Sequence, residues 1–384
     1  MRKKILNIIG ARPQIIKASA INRQLKQFHR QRIEEIVVHT GQHYDKEMSG
    51  VFFDEMGITL PHHQLSAGAG THAGQTARIM TGMEKVINEE YPDAVIVYGD
   101  TNSTLAAALT AAKMGCPLIH IEAGMRSFNR AMPEEINRIV CDHLSTLLFT
   151  PTPTGIDNLK SEGVVPNDQP PYTAVNPGLF LCGDIMYDNA LFFSSLADSK
   201  STILADNHLE EMGFLLVTVH RDYNADNKER LNNIFTALTT LSADSGLPVV
   251  IPLHPRTVRM LEVNLRKEVY KGLQGNRKIR IIPPVSYLDM LKLELNCAMV
   301  LTDSGGVQKE SHFFRKPCII LRPETEWVEL VRNGTAVLAD DNPERINEAY
   351  HLLKEKKDAD FPSFYGDGNA AAFICGKMEE FLYF

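Results

Sequence analysis

The sequence lacks the marks of several large protein classes. Its six cysteines (Cys116, Cys141, Cys182, Cys297, Cys318, Cys375) are scattered, with no C-x-x-C spacing and mostly apolar neighbours. That pattern excludes a disulfide framework and a zinc site, and fits buried thiols in a reducing compartment. No apolar run approaches the ~18–20 residues that a membrane-spanning helix requires. The chain opens Met1-Arg2-Lys3-Lys4 in the manner of a signal peptide, but the apolar stretch stops at Gly10. It falls short of an h-region of ~7–15 residues, so a cytoplasmic protein with no membrane partner is expected. Basic charge is also short: 40 Lys+Arg stand against 47 Asp+Glu, a net charge of −7. A sequence-independent nucleic-acid binder needs a basic face, so nucleic acid is not an expected partner. A local basic pocket for a small phosphate remains compatible with this balance. Also missing are G-x-G-x-x-G, G-x-S-x-G, any metal-ligand spacing and a cysteine near a plausible base. No metal site is expected.

What is present is an ordinary globular mix, 44% hydrophobic and 23% charged over 384 residues. The length is two to three times the commonest domain size of ~100–150 residues, so two domains are expected. Short, β-rich, near-continuously apolar runs alternate with segments of helical period. The first half offers strands at 5–9, 35–39, 94–98, 117–121 and 147–150, with helices near 13–28, 45–56, 71–89, 102–114, 133–145 and 152–162. The second half offers strands at 214–219, 249–253, 279–282, 299–302, 318–321 and 336–338. Its helices are expected at 227–243, 255–266, 286–296, 304–314 and 343–357. Strands that do not alternate belong to parallel sheets covered on both faces. The fold class is therefore α/β, with two doubly wound parallel-sheet domains. Pro166-Asn167-Asp168-Gln169-Pro170-Pro171 marks a linker around 166–180. The expected division is 1–172, completed by a C-terminal helix within 366–384, and 173–365.

Ligands of doubly wound sheets bind at the carboxyl ends of strands. The first strand is followed by Gly10-Ala11-Arg12-Pro13-Gln14-Ile15-Ile16-Lys17. Arg12 and Lys17 flank a helix start, which makes either an anion site or a loop with solvated charges. Asp100, in Tyr98-Gly99-Asp100-Thr101, caps the next helix or serves a site. In His120-Ile121-Glu122-Ala123-Gly124, Glu122 ends an apolar strand, where an unpaired carboxylate is expensive to bury. Glu134 and Glu135 open a helix, where acidic residues suit the dipole. The second half supplies His220-Arg221 and His254-Pro255-Arg256 at strand ends. It also supplies Thr302-Asp303-Ser304-Gly305-Gly306, where Ser-Gly-Gly at a helix start lets backbone N–H groups approach a phosphate. Glu310, one and a half turns on, is placed to accept from ribose hydroxyls. Together these read as a diphosphate cradle plus a carboxylate trio (Asp100, Glu122, Glu134): acid–base chemistry on a nucleotide-linked substrate.

In order along nearly the whole chain stand G-A-R-P-Q-x-I-K, Y-G-D-T-x-S-T, H-I-E-A-G-x-R-S, M-P-E-E-I-N-R, V-T-V-H-R, L-H-P-R-T and L-T-D-S-G-G-V-Q-K-E. This series resembles the non-hydrolysing UDP-N-acetylglucosamine 2-epimerases. The resemblance implies a GT-B-like architecture of two Rossmann-like domains facing a central cleft. It further implies a cytoplasmic homodimer, no cofactor, and a role in supplying cell-envelope polysaccharide precursors. UDP-GlcNAc and UDP-ManNAc would interconvert by elimination of UDP to a 2-acetamidoglucal and re-addition. Asp100, Glu122, Glu134 and His220 then correspond to the catalytic set. Arg12, Lys17, Arg126, Arg138, His254, Ser304, Gly305, Gly306 and Glu310 correspond to substrate-binding positions. Within the trio, mutual repulsion implies that one carboxyl keeps a proton.

The sequence departs from the family pattern at four places. Gly10-Ala11-Arg12-Pro13-Gln14 replaces G-T-R-P-E, and Trp327-Val328-Glu329 replaces R-P-E. Val285 and Met290 stand at the uracil-side Gln and Phe, and Gln42 to Met48 is two residues too long for the allosteric Q-H-x-x-M. These departures resemble the branch acting on UDP-2,3-diacetamido-2,3-dideoxy-glucuronate. A hydrolysing epimerase, a GT-B glycosyltransferase and a non-catalytic nucleotide-sugar sensor are the other readings. The retained carboxylate trio argues against the sensor.

Overall fold

The structure is a computed structural model that describes residues 2–42, 57–167, 169–253, 255–356 and 359–384. The helix expected over 45–56 and the stretch from His43 to Met48 lie outside the described residues. The chain divides into two compact units, Met1–Asn189 with Ser363–Phe384, and Ala190–Pro362.

Unit 1 holds a seven-stranded sheet of β1 (Lys3–Ile9), β2 (Ile33–His39), β3 (His63–Gln64), β4 (Ala94–Tyr98), β5 (Leu118–Ile121), β6 (Leu147–Thr150) and β7 (Gly178–Leu181). Their order is β3-β2-β1-β4-β5-β6-β7, and every pairing is parallel. Helices α1 (Arg12–Gln24), α2 (His72–Glu90), α3 (Asn102–Lys113), α4 (Pro133–Leu144) and α5 (Pro153–Ser161) follow strands of this sheet. Ile8, Val38, Val95 and Val97 pack with Ile79, Met83, Ala107 and Cys141 in one fully buried cluster. Covering the strands on both faces is what makes them read as continuous apolar runs.

The sequence signalled most of these elements within a few residues, but neither the two-residue β3 nor β7. The surroundings of β7 hide it. Its short Gly-Leu-Phe-Leu run is flanked by proline and asparagine, and it lies in the segment expected to be a linker. Helix α6 (Ile185–Lys200) was also unexpected, although Ile185, Met186, Ala190, Phe193 and Ala197 are buried at helical spacing.

Unit 2 repeats the plan with β8 (Leu215–Thr218), β9 (Val249–Pro252), β10 (Ile279–Ile282), β11 (Met299–Thr302), β12 (Cys318–Ile320) and β13 (Ala336–Leu338). The order is β10-β9-β8-β11-β12-β13, again all parallel. After α7 (Ile203–Asp206), α8 (Asp222–Ala225) and α9 (Lys228–Ser245) come α10 (Pro255–Asn264), α11 (Lys267–Gly275) and α12 (Tyr287–Asn296). Then come α13 (Gly305–Phe313), α14 (Val328–Asn333) and α15 (Pro343–Glu355).

The final helix, α16 (Ala370–Tyr383), packs within unit 1. Its first amides, at Ala370 and Ala371, donate to Asp188, and Tyr383 Oη donates to the Arg32 carbonyl at 2.7 Å. Among the described residues, no helix is long and apolar enough to cross a membrane.

In each sheet the chain reverses its direction of growth beside the first strand, between β1 and β4 and between β8 and β11. Crevices for ligands open at such switch points, outside the carboxyl ends of the strands. The loops that leave those ends carry Arg12 and Asp100 in unit 1, and His220 and Ser304 in unit 2.

Candidate active site

In unit 1 the loop after β5 begins under strain. Glu122 has φ +71°, a left-handed conformation that non-glycine residues seldom adopt. The Glu122 and Ala123 amides both donate to the Phe149 carbonyl, at 3.1 and 3.0 Å, which fixes the bend. The Glu122 side chain is thereby turned to Lys17 on α1, whose Nζ donates to Oε1 at 2.8 Å. Both side chains are largely buried, at 10% and 13% exposure, so the pair is little screened. Gly99 sits against this pair with φ +61°, and a Cβ there would stand 3.2 Å from Lys17 Nζ and 3.5 Å from Glu122 Oε1.

Asp100, next in the chain, is ion-paired with Arg138 of α4. Arg138 in turn lies 3.2 Å from Glu135, which is buried and accepts from the Ser127 amide (2.8 Å), the Ser127 hydroxyl (2.9 Å) and the Phe128 amide (3.0 Å). Asn137 Nδ2 donates to the Asp100 carbonyl at 2.8 Å. Glu122 thus has Lys17 as its cation, and Asp100 shares Arg138 with Glu135. Glu134 is half-buried in the first turn of α4. Arg12 is exposed as the first residue of α1.

Arg126 is buried and turned inward. It pairs with Asp142 at 2.7 Å and with Glu162 at 2.7 Å, and Nη1 donates to the Met125 carbonyl at 2.7 Å. Asp142 also meets His120. Neither Asp142 nor Glu135 was singled out from sequence as a site residue. Each looks there like an ordinary acid on an amphipathic helix.

In unit 2 the centre is Asp303, fully buried at the end of β11. It accepts from the His220 amide at 3.2 Å, the Arg221 amide at 3.1 Å and Asn224 Nδ2 at 3.1 Å, and faces His220 Nδ1 at 3.2 Å. Burial pushes the Asp303 carboxyl up, but the bonds and charge of His220, with Asn224 and Arg221, outweigh it and hold the group below the usual range. The His220 side chain is 58% exposed, so its far edge is open.

Ser304 caps α13, its hydroxyl accepting from the Val307 amide at 3.4 Å. Gly305 and Gly306 follow. A Cβ on Gly305 would meet its nearest neighbours at 3.6 Å or more, led by Trp327 Nε1, and a Cβ on Gly306 would find only Ser304 Oγ at 3.8 Å. Among the described residues no neighbour demands these glycines, and their bareness leaves the backbone amides open to an approaching anion. Glu310 is nearly buried and accepts from Tyr287 Oη at 3.4 Å. Beside the glycines, Arg322 forms a double bond pair with Glu326 at 3.1 and 3.1 Å, and Lys309 Nζ lies 4.1 Å from the Trp327 ring centroid. His254 lies outside the described residues.

Comparison with known proteins places this arrangement. The family described as UDP-N-acetylglucosamine 2-epimerase matches residues 26–379. A UDP-2,3-diacetamido-2,3-dideoxy-D-glucuronate 2-epimerase of Pseudomonas aeruginosa is 46% identical over 97% of this chain and 98% of its own length. A UDP-N-acetylglucosamine 2-epimerase homolog of Methanococcus maripaludis is 42% identical, with the same coverage of 97% and 98%. The crystal structure of Methanocaldococcus jannaschii UDP-GlcNAc 2-epimerase in complex with UDP-GlcNAc and UDP is 38% identical, covers 98% of this chain and 99% of that one, and superposes with a TM-score of 0.86. The likeness runs through both Rossmann-like units, the GT-B-like class, and the chain belongs to the UDP-N-acetylglucosamine 2-epimerase family of sugar-nucleotide isomerases.

Proposed function

We propose that this enzyme inverts C2 of a UDP-linked 2-acetamido sugar without hydrolysis, interconverting UDP-GlcNAc and UDP-ManNAc. The observation that carries the reading is the pairing of Glu122 with Lys17 against Gly99, with Asp100 one residue further on and held by Arg138.

A C2 proton with no adjacent carbonyl is not acidic, so simple deprotonation fails. Elimination solves the problem: the C1–O bond to UDP breaks as the C2 proton leaves. The C2 proton then returns on the opposite face, and UDP re-adds at C1. Two faces of C2 need two acid–base groups, and Glu122 and Asp100 fill those places. Each is worth about 10²–10⁴-fold. Their cations keep them from opposing one another's charge, and Glu134 adds negative potential where C1 becomes positive. Charge grows on the departing β-phosphate, where the amides of Ser304, Gly305 and Gly306 and the exposed edge of His220 act. Glu310 takes the ribose hydroxyls. Arg12 serves the substrate from the end of β1, His254 binds it as well, and Arg126 acts through Asp142. The active species is a cytoplasmic homodimer.

One observation favours a second substrate. Trp327 stands where the family has arginine, with its indole next to Gly305 and under Lys309. This altered wall suits the sugar bearing a C6 carboxylate and a 3-acetamido group. Incubation in D₂O, separately with UDP-GlcNAc and with UDP-2,3-diacetamido-2,3-dideoxy-glucuronate, tests both readings. The true substrate gains deuterium at C2 and appears as two epimers. Release of a free 2-epimeric sugar, or no label with either compound, overturns the proposal.

A further inference from the structure

His120 lies in the middle of the unit 1 sheet, fully buried, in register with Val97 of β4 and Leu148 of β6. Nothing in the reaction requires it to touch substrate. Yet both of its ring nitrogens are spoken for: Nδ1 is 2.7 Å from Asp142 Oδ1, and Nε2 is 2.8 Å from the Gly99 carbonyl. Both partners are acceptors, so the ring donates from both nitrogens.

The surroundings balance that arrangement. Asp142 also takes the Arg126 guanidinium and the Gly124 amide (3.1 Å), and Arg126 reaches out to Glu162. Burial pushes the Asp142 carboxyl up, and His120 and Arg126 more than offset this and hold it low. His120, Arg126 and the carboxylates of Asp142 and Glu162 are thus interlocked behind the loops, and a buried polar set of this kind is costly unless every member is satisfied.

We infer that His120, held by Asp142, is a positioning residue for the acid–base pair: it fixes the Gly99–Asp100 peptide. Gly99 is gripped on every side. Its amide donates to the Ile121 carbonyl at 3.0 Å, its carbonyl accepts from His120, and its bare α-carbon faces Lys17 and Glu122. Asp100 leaves directly from this peptide. Helix α4 drives the arrangement from one face, because Glu134, Arg138 and Asp142 recur at intervals of four. Arg138 holds the Asp100 side chain, and Asp142 holds, through His120, the backbone that carries it. Acid–base catalysis is sensitive to such placement, since a displacement of about 1 Å costs about 10²-fold.

The inference rests on the epimerase reading, and the test separates the two. In His120→Gln the amide nitrogen reaches the Nε2 position and keeps the bond to Gly99. In His120→Asn it reaches the Nδ1 position and keeps only the bond to Asp142. Expected is a kcat for C2 deuterium exchange about 10²-fold down in His120→Asn and within about 5-fold of wild type in His120→Gln, with KM and UDP affinity unchanged in both. Equal losses in the two variants, or a folded His120→Asn with kcat near wild type, overturn it.

A crystal structure of His120→Asn supplies a readout independent of turnover. The Gly99–Asp100 peptide is expected to rotate and Asp100 to move away from Glu122, and an unmoved peptide overturns the inference even if the substrate has been misassigned. If neither variant folds, Glu162→Gln at the partly exposed end of the network is expected to lower kcat about 3-fold at constant KM. An unchanged kcat there counts against the inference.

Discussion

Asp303 holds His220 from two directions, taking the histidine's own amide at 3.2 Å and facing its ring Nδ1 at 3.2 Å. The carboxylate therefore fixes both where the residue leaves β8 and which nitrogen bears its inward hydrogen. The outward nitrogen is left for a ligand. This relationship sits at the switch point of the unit 2 sheet, where β8 and β11 pair through Thr218 and Thr302.

Asp303→Asn is expected to lower turnover at least about 10-fold and to destabilise by about 3 kcal/mol at neutral pH, because four donors lose a buried anion. The folded carboxyl lies below its ordinary value. Its contribution is therefore fully present above the unfolded-state value of about 3.9 and is lost as pH falls through the lower folded one. Urea melts of wild type and variant should converge as pH drops below about 4. A stability gap that is constant from neutral to acid pH contradicts the assignment.

Glu122→Gln and Asp100→Asn are isosteric and leave the fold in place, and each is expected to lower turnover by at least about 10²-fold. Circular dichroism and thermal melts check folding, and deuterium incorporation at C2 checks chemistry. Near-normal turnover in both removes them from the reaction.

Glu294 on α12 is fully buried, and neither of its carboxyl oxygens has a hydrogen-bond partner among the described residues. Burial, and then the charge of Glu310, push its carboxyl well above the ordinary range. A group raised in the folded state contributes stability below the unfolded-state value of about 4.3, which is lost as pH rises. Glu294→Met, of similar size and without a charge to desolvate, is expected to stabilise by about 1–3 kcal/mol at pH 8 and by less at pH 5. Denaturant midpoints at the two pH values measure it. A variant less stable than wild type at pH 8 shows that the carboxylate has a partner that matters.

How far the sequence discloses this protein depends on the kind of residue. Strand ends are legible, because continuous apolar runs announce parallel strands and ligands gather where such strands stop. Asp100, Glu122, His220 and Ser304 were singled out that way, and each lies just past a strand end. The residues that aim them are not. Asp142 and Glu135 sit on α4 with the spacing of any helical acid, and only the folded chain shows that they face His120 and Arg138. Arg126 carries its motif in sequence but not its direction, which is inward to Asp142 and Glu162. The left-handed turn at Glu122 is equally silent, since glycine, the usual signal for positive φ, is absent at that position. The cations beside Glu122 and Asp100 come from α1 and α4, elements distant from them in sequence, so sequence spacing does not show the pairings.

Gly99 is where these constraints meet, so Gly99→Ala tests the arrangement as a whole. A side chain at φ +61° costs about 1–2 kcal/mol for the left-handed backbone alone. The added methyl would also press on Lys17 Nζ at 3.2 Å and Glu122 Oε1 at 3.5 Å, the two atoms whose pairing keeps the carboxylate in place. Lys17 has a flexible stem and can yield, but in yielding it releases Glu122. The variant is therefore expected to fold with a modestly lower midpoint yet to lose about 10²-fold in turnover, with UDP affinity intact because the phosphate cradle proposed at Ser304–Gly306 is in the other unit. Isothermal titration with UDP beside C2 exchange kinetics separates the outcomes. Equal losses in UDP affinity and turnover would mean that Gly99 matters for folding at large, whereas loss of turnover alone ties it to the acid–base pair.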